Sequence, residues 1–219
     1  MFKRKPRSYA QLASEMLWPR GGWSRSAQYV VNRVRRLPDE PQRIGRGFAA
    51  GVFVNFTPLF GFHLVLSMAI AWLIRANMLA AVLGTFIGNP LTTPIIAVVS
   101  VGLGRWMMGV EGSANPAVIL GEFTAAGSQL WQNTTAIFTD APAHWDRLAV
   151  FFDNVFLPYL VGGIIPGLVF AVLAHYLTVP VIRAYHKRRA AKLRKRAMQL
   201  GLSVKRRGPD TDGNTAAKP

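Results

Sequence analysis

Polar side chains fit for binding or chemistry are few in the middle of this chain, and they gather around two prolines. Asn55, Thr57 and His63 flank Pro58, while Asn89, Thr92 and Thr93 flank Pro90. Arg75 and Asn77 lie between the two groups. Proline removes a backbone donor and clashes with the preceding turn, and the residue before it is pushed out of the α region. Thr57-Pro58 and Asn89-Pro90 are therefore expected to interrupt helices. New helix N-termini just after each proline would add partial positive charge. No Asp or Glu lies between Phe48 and Val110, which argues against a carboxylate proton relay. A neutral-to-positive site of this kind favours an anionic group such as a phosphate or a phospholipid head. The candidate binding residues are Asn55, Thr57, Pro58, His63, Arg75, Asn77, Asn89, Pro90, Thr92 and Thr93. Plainer roles compete with this one: helix caps for Thr57 and Asn89, a packed histidine for His63, and cations that snorkel to an interface for Arg75 and Arg105.

An enzyme is not expected. The histidines, His63, His144, His175 and His186, fall in separate segments without metal-ligand spacing. The absence of Cys excludes thiolate nucleophiles and disulfides. No nucleophile elbow or P-loop occurs, and Gly45, Gly47 and Gly51 have the wrong spacing for a dinucleotide fingerprint. Asp140, Asp146 and Asp153 read as solvated loop acids rather than a cation site. No cofactor and no metal is expected.

The elements that must position these residues are apolar. Gly47–Ile74 contains no charged residue, Met78–Val110 only Arg105, and Val150–Ile182 only Asp153. A membrane span needs about 20 apolar residues, and all three stretches exceed that. The chain carries 26 Lys+Arg against 10 Asp+Glu, a net charge of +16. Residues 1–46 contribute +8 and residues 183–219 contribute +10, whereas the middle is −2. The charge is therefore an orientation signal rather than a nucleic-acid-binding face, and no specific nucleic-acid partner is expected. The expected fold is an all-α integral membrane protein with three long apolar segments interrupted by Pro or Gly. Residues 47–182 form its membrane domain, with 111–149 as an outer-side connection.

Two basic ends place both termini in the cytoplasm, which requires an even number of crossings. One stretch must turn back as a re-entrant segment. The first is expected to do so at Thr57-Pro58, because each of its halves is too short to span; re-entry of the second, or a short helical pair in the third, are alternatives. The third is expected to break at Pro158, Gly162-Gly163 and Pro166-Gly167. A short internal repeat pairs Gly51-Val52-Phe53-Val54 with Gly84-Thr85-Phe86-Ile87, and paired Pro-interrupted segments point to transporter-like sites. The pairs Gly47/Gly51, Gly84/Gly88 and Gly163/Gly167 let helices approach closely, chiefly for internal packing but also compatible with a homo-oligomer.

The flanks read as amphipathic helices over Ser8–Trp18 and Ser26–Leu37, with Trp18 and Trp23 at headgroup level. Asn115–Thr139 reads as another, resting on the outer surface through Leu130, Trp131 and Ile137. A basic helical tail over 183–207 carries Arg183, Lys187, Arg188, Arg189, Lys192, Arg194, Lys195 and Arg196, suited to anionic lipid headgroups of the bilayer. Disorder is expected from about residue 208.

Pro41-x-x-Ile44-x-x-Gly47, Gly51-Val52-Phe53, Thr57-Pro58-x-x-Gly61, Arg75-Ala76-Asn77 and Gly84-Thr85-x-x-Gly88-Asn89-Pro90-Leu91-Thr92 stand in this order. Together they resemble the bacterial membrane family called domain of unknown function 2062, over about residues 25 to 185. Where the family has a Gln-like residue after Gly61-Phe62, this chain has His63. The resemblance implies a small bacterial inner-membrane protein. Related domains joined to lipid-directed glycosyltransferases imply a lipid or lipid-linked substrate. The expected function is a transporter or flippase-like protein for an anionic or lipid-linked solute. The alternative is a non-transporting membrane adaptor or assembly factor that recruits partners through its basic flanks.

Overall fold

A computed structural model describes residues 22–112, 114–139 and 142–199. The described residues contain helices and no strand. Helix α1 covers Gly22–Arg35 and α2 covers Pro41–Val54. Pro41 opens α2 where its missing N–H has no intrahelical role. Helix α3 covers His63–Leu73, followed by Arg75 in the left-handed region at φ 51°. Helix α4 covers Met78–Thr85, with Asn77 at its N-cap accepting from the Ala80 N–H at 2.8 Å. Helix α5 covers Thr93–Met108 and stops at Gly109, whose φ of 67° favours glycine. Helix α6 covers Pro116–Ala136 and starts at Asn115, which accepts from the Ala117 N–H. A short helix α7 over Asp146–Phe151 runs through a π-helical turn at Phe152–Phe156 into α8, Leu157–Gln199.

The first apolar stretch is a helical hairpin. Helices α2 and α3 pack on each other, and the two ends of the stretch meet. Arg43 Nε and Arg46 Nη2 donate to the Arg75 carbonyl at 3.3 and 3.5 Å, and the Asn77 N–H donates to the Arg43 carbonyl at 3.1 Å. The chain therefore comes back to where α2 began before it starts α4.

Helix α4 then runs parallel to α2. Gly47 lies against the Asn77 carbonyl and Ala80, Gly51 against Ala81 and Gly84, and Gly88 against Asn55. A Cβ on Gly84 would meet the Phe48 carbonyl and stand 3.0 Å from the Gly51 Cα. The two halves of the sequence repeat thus pack on each other through their glycines. These are the small-residue contacts expected from the spacing, and they are used within the chain.

Helix α8 runs antiparallel to α2. Gly163 meets the Phe56 carbonyl, Gly167 meets Phe53 and Phe56, and Gly45 meets His175 and Val179. Helices α4 and α5 follow the same length of α8. Ala80 and Leu83 share a cluster with Ile182, Gly162 meets the Ser100 carbonyl, and Gly104 meets Pro158. A second cluster joins Val52, Phe56, Ile96, Val101, Ile119 and Tyr159.

The expected breaks in the third stretch are absent. Asp146–Gln199 is continuous, and it is the one helix among the described residues long and apolar enough to cross a membrane. The three apolar stretches thus differ, since each of the first two holds two shorter helices. Pro158 leaves the carbonyl four residues earlier, that of Asn154, without its usual N–H donor. Arg105 Nε and Nη2 supply that carbonyl with hydrogen bonds of 2.9 and 2.8 Å. The π turn absorbs the local irregularity. Arg105 is accordingly buried at 7% exposure rather than snorkelling.

Two compact units divide the chain at Ile182 and Arg183. In the second, the helix continues to Gln199, and all eight basic residues named between Arg183 and Arg196 are exposed. Helix α1 corresponds to the expected Ser26–Leu37 segment. The Ser8–Trp18 segment, the Trp23 side chain, Asp140 and the tail from residue 200 lie outside the described residues. Helix α6 forms where expected: Ile119, Ala126, Gln129 and Asn133 turn inward, and Leu130, Trp131 and Ile137 are exposed. Its inward amides hold the following chain, with Gln129 Nε2 donating to Asp146 and Asn133 Nδ2 donating to the His144 carbonyl.

Candidate functional site

The two proline-containing breaks differ in how they satisfy their own backbone. At the first, the end of α2 tightens into i→i+3 bonds, with the Phe56 and Thr57 N–H groups donating to Phe53 and Val54 at 3.0 Å. Thr57 Oγ1 also donates to the Val54 carbonyl at 2.8 Å. The Thr57 carbonyl, freed by the break, pairs with His63 Nε2 at 3.2 Å. At the second, Asn89 Oδ1 accepts from the N–H groups of Leu91 and Thr92 at 2.9 and 3.1 Å, an Asx turn. Thr92 Oγ1 accepts from the Asn89 N–H at 3.0 Å and donates to the Ile87 carbonyl. Each cap is local, so each break keeps its shape without help from the other.

Asn55 joins them. Its Nδ2 donates to the Gly51 carbonyl at 3.2 Å and to the Gly84 carbonyl at 3.3 Å, one in α2 and one in α4. Two carbonyl partners fix which end of the amide is nitrogen. Oδ1 must then face the other way, towards Gly88, where only a residue without a Cβ fits. Asn55 is 3% exposed, and its Oδ1 accepts no hydrogen bond from the described residues. A buried acceptor without a donor costs about 1–3 kcal/mol.

Beside that oxygen lies a cavity of about 290 Å³, lined by Asn55, Phe60, His63, Gly88, Asn89, Pro90 and Thr93. Helix α3 begins at His63 in its wall with the N–H groups of a first turn, whereas at the start of α5 the Thr93 N–H donates to the Asn89 carbonyl at 2.8 Å and Pro94 has no N–H. His63 is the one titratable side chain among these lining residues, and Phe60 packs on its ring at 5.3 Å. The arrangement offers neutral donors and acceptors, which suits binding more than bond making.

The structure brings five of the ten candidate residues onto this cavity: Asn55, His63, Asn89, Pro90 and Thr93. Thr57 and Pro58 are buried beside it. Thr92 instead lines a larger cavity of about 750 Å³ that runs from the second break to Arg25, Tyr29 and Val30 of α1. Arg75 and Asn77 are elsewhere, at the far end of α4. There the Arg75 carbonyl closes the hairpin, and Asn77 Nδ2 donates to Asp39 at 3.0 Å. Burial pushes the Asp39 carboxyl up, but Asn77, the Glu40 N–H and Arg43 together hold it below the ordinary carboxylate range. Two lining residues, Phe60 and Gly88, were not among the candidates. Gly88 carries a legible signal, since it precedes Asn89-Pro90, whereas Phe60 becomes a wall only through the hairpin.

A family model described as "Uncharacterized protein conserved in bacteria (DUF2062)" matches residues 24–191. Its span includes both breaks and the whole of α2 to α7. No curated protein and no solved structure matches the chain.

Proposed function

The chain belongs to the bacterial family of domain of unknown function 2062, and from the meeting of its two breaks we propose that it is a multi-pass inner-membrane carrier, transporter or flippase-like, for an anionic or lipid-linked solute. The carrying observation is the polar cavity at which both breaks converge, with the unpartnered Asn55 Oδ1 beside it. Backbone interrupted at membrane depth is tolerated where it is buried in protein or lines a wet cavity. Broken helices that meet across a repeat are how carriers build such sites.

The exterior supports placement in a bilayer. Trp72, Leu73, Trp106, Phe170 and Tyr176 are all more than half exposed, more apolar surface than a soluble monomer presents. Leu157–Ile182 at 1.5 Å per residue reaches roughly 39 Å, enough for a hydrocarbon core of about 30 Å. In this reading the α2–α3 hairpin enters from the cytoplasmic side and returns. Helices α4 and α5 cross as one broken helix, and α8 crosses back, so both basic ends are cytoplasmic.

The test is translocation by the full-length chain in proteoliposomes, read as loss of a fluorescent phospholipid from the inner leaflet and as efflux of trapped phosphate. Either rate is expected to exceed that of protein-free vesicles and to fall in Asn89→Ala. Rates equal to protein-free vesicles for both contradict the carrier reading. The exposed basic face after Arg183 favours a second reading, an adaptor that docks on anionic lipid or recruits partners without transport.

A further inference from the structure

Phe60 and Thr93 line a second cavity besides the polar one. It measures about 460 Å³ and is walled by Pro94 and Ala97 of α5 and by Ile119, Leu120 and Phe123 of α6. Phe60 stands at the join. Its ring lies 5.3 Å from His63 on the polar side and 5.2 Å from Phe123 on the apolar side. A polar and an apolar cavity with shared walls match one kind of molecule, an amphiphile with a small polar head and a hydrocarbon chain.

The head's chemistry follows from the groups around it. The first N–H groups of α3 lack intrahelical acceptors and carry partial positive charge, which favours an anion. Asn55 Oδ1 asks the opposite, because a buried acceptor is satisfied only by a donor. A phosphate-bearing head that also carries a hydroxyl or ammonium group meets both demands. We infer that the two cavities form one site for a phospholipid of this kind, with its phosphate at the α3 N-terminus, its O–H or N–H on Asn55 Oδ1, and an acyl chain between α5 and α6. The inference rests on the carrier reading of the breaks and narrows the solute to a lipid.

Native mass spectrometry of the full-length chain with added phosphatidylethanolamine, phosphatidylglycerol and phosphatidylcholine tests it. The first two heads carry a donor, and the trimethylammonium of the third carries none. They are expected to bind about tenfold more tightly than phosphatidylcholine. Asn55→Ala is expected to remove that preference. Leu120→Trp, at a 68% exposed position of α6 in the cavity wall, fills the apolar cavity and is expected to weaken all three about tenfold. Glycerol phosphate, a head without chains, is expected not to displace bound lipid. Equal binding of the three lipids, an unaffected Leu120→Trp, or displacement by glycerol phosphate overturns the inference. If Asn55→Ala does not fold, the lipid series and Leu120→Trp decide alone. Lipid preference without translocation in proteoliposomes defeats the carrier reading and leaves this site standing. Efflux of trapped phosphate without lipid preference does the reverse.

Discussion

The side chain of Asn55 holds the carbonyl of Gly84 at 3.3 Å from Nδ2 while holding that of Gly51, so a single amide ties the first break to the helix that leads into the second. Asn55→Ala removes both bonds, taking the side-chain donor from the Gly51 carbonyl and leaving the Gly84 carbonyl with the Ile87 N–H at 3.2 Å. It is expected to destabilise the chain by about 1–3 kcal/mol. Asn55→Asp is expected to cost more, because a carboxylate would face the same two carbonyl oxygens. Thermal unfolding in detergent measures both, and a melting temperature unchanged in Asn55→Asp contradicts the bridge.

The glycine contacts make a second, contrasting prediction. Gly84→Ala and Gly104→Ala would each push a methyl group into facing backbone, that of Phe48 and Pro158 respectively. Each is expected to cost about 1–3 kcal/mol. Gly121→Ala, within α6 and open on all sides, is expected to be neutral or to stabilise by up to about 1 kcal/mol. The same unfolding measurement reads all three. Equal effects at Gly84 and Gly121 contradict the close parallel packing of α2 on α4.

Arg105 and Pro158 should be coupled through the Asn154 carbonyl. Arg105→Met strands the Asn154 carbonyl and is expected to cost about 1–3 kcal/mol. Pro158→Ala restores the N–H that this carbonyl normally receives. The double variant should therefore lose less than the sum of the two single variants. A double-mutant cycle whose interaction energy is near zero contradicts the exchange of donors.

The base of the hairpin carries a pH dependence. Asp39 has a folded-state pKa below its unfolded one, so its contribution to stability is present above the ordinary carboxylate pKa. That contribution is lost as pH falls through the depressed folded value. Asp39→Asn is expected to flatten the acid limb of the stability profile by losing, above pH 6, the contribution that the ionised carboxylate makes there. An acid limb identical in the variant and the parent chain contradicts this.

Local chemistry made some features legible in the sequence, and long-range contact hid others. Pro58 and Pro90 break helices because proline acts on its own turn, and the two breaks are found at those prolines. The return of the first stretch was only partly legible: its short apolar halves favoured it over re-entry of the second or a helical pair in the third, and Arg43 and Arg46 meet the Arg75 carbonyl at the base of the hairpin. Pro158 misled for the opposite reason. Its lost hydrogen bond is replaced by Arg105, 49 residues from Asn154. No local pattern reveals such a donor. Arg75 and Asn77 entered the candidate site by their polarity alone. A helix of eight residues carries them to the other end of α4, where they cap and close the hairpin. The inward side of α6 was not legible, because Gln129 and Asn133 turn inward to bond Asp146 and the His144 carbonyl, partners that lie beyond the helix.

Thiol accessibility tests most directly whether the two breaks form one water-reached site within an apolar body. The chain has no cysteine, so single-cysteine variants need no background correction. Thr93→Cys sits in the wall of the polar cavity, and Leu173→Cys sits on the exposed apolar face of α8. In proteoliposomes a charged methanethiosulfonate reagent is expected to modify Thr93→Cys and to leave Leu173→Cys unreacted. An inert Thr93→Cys, or a Leu173→Cys that reacts as fast, contradicts a membrane-embedded polar site.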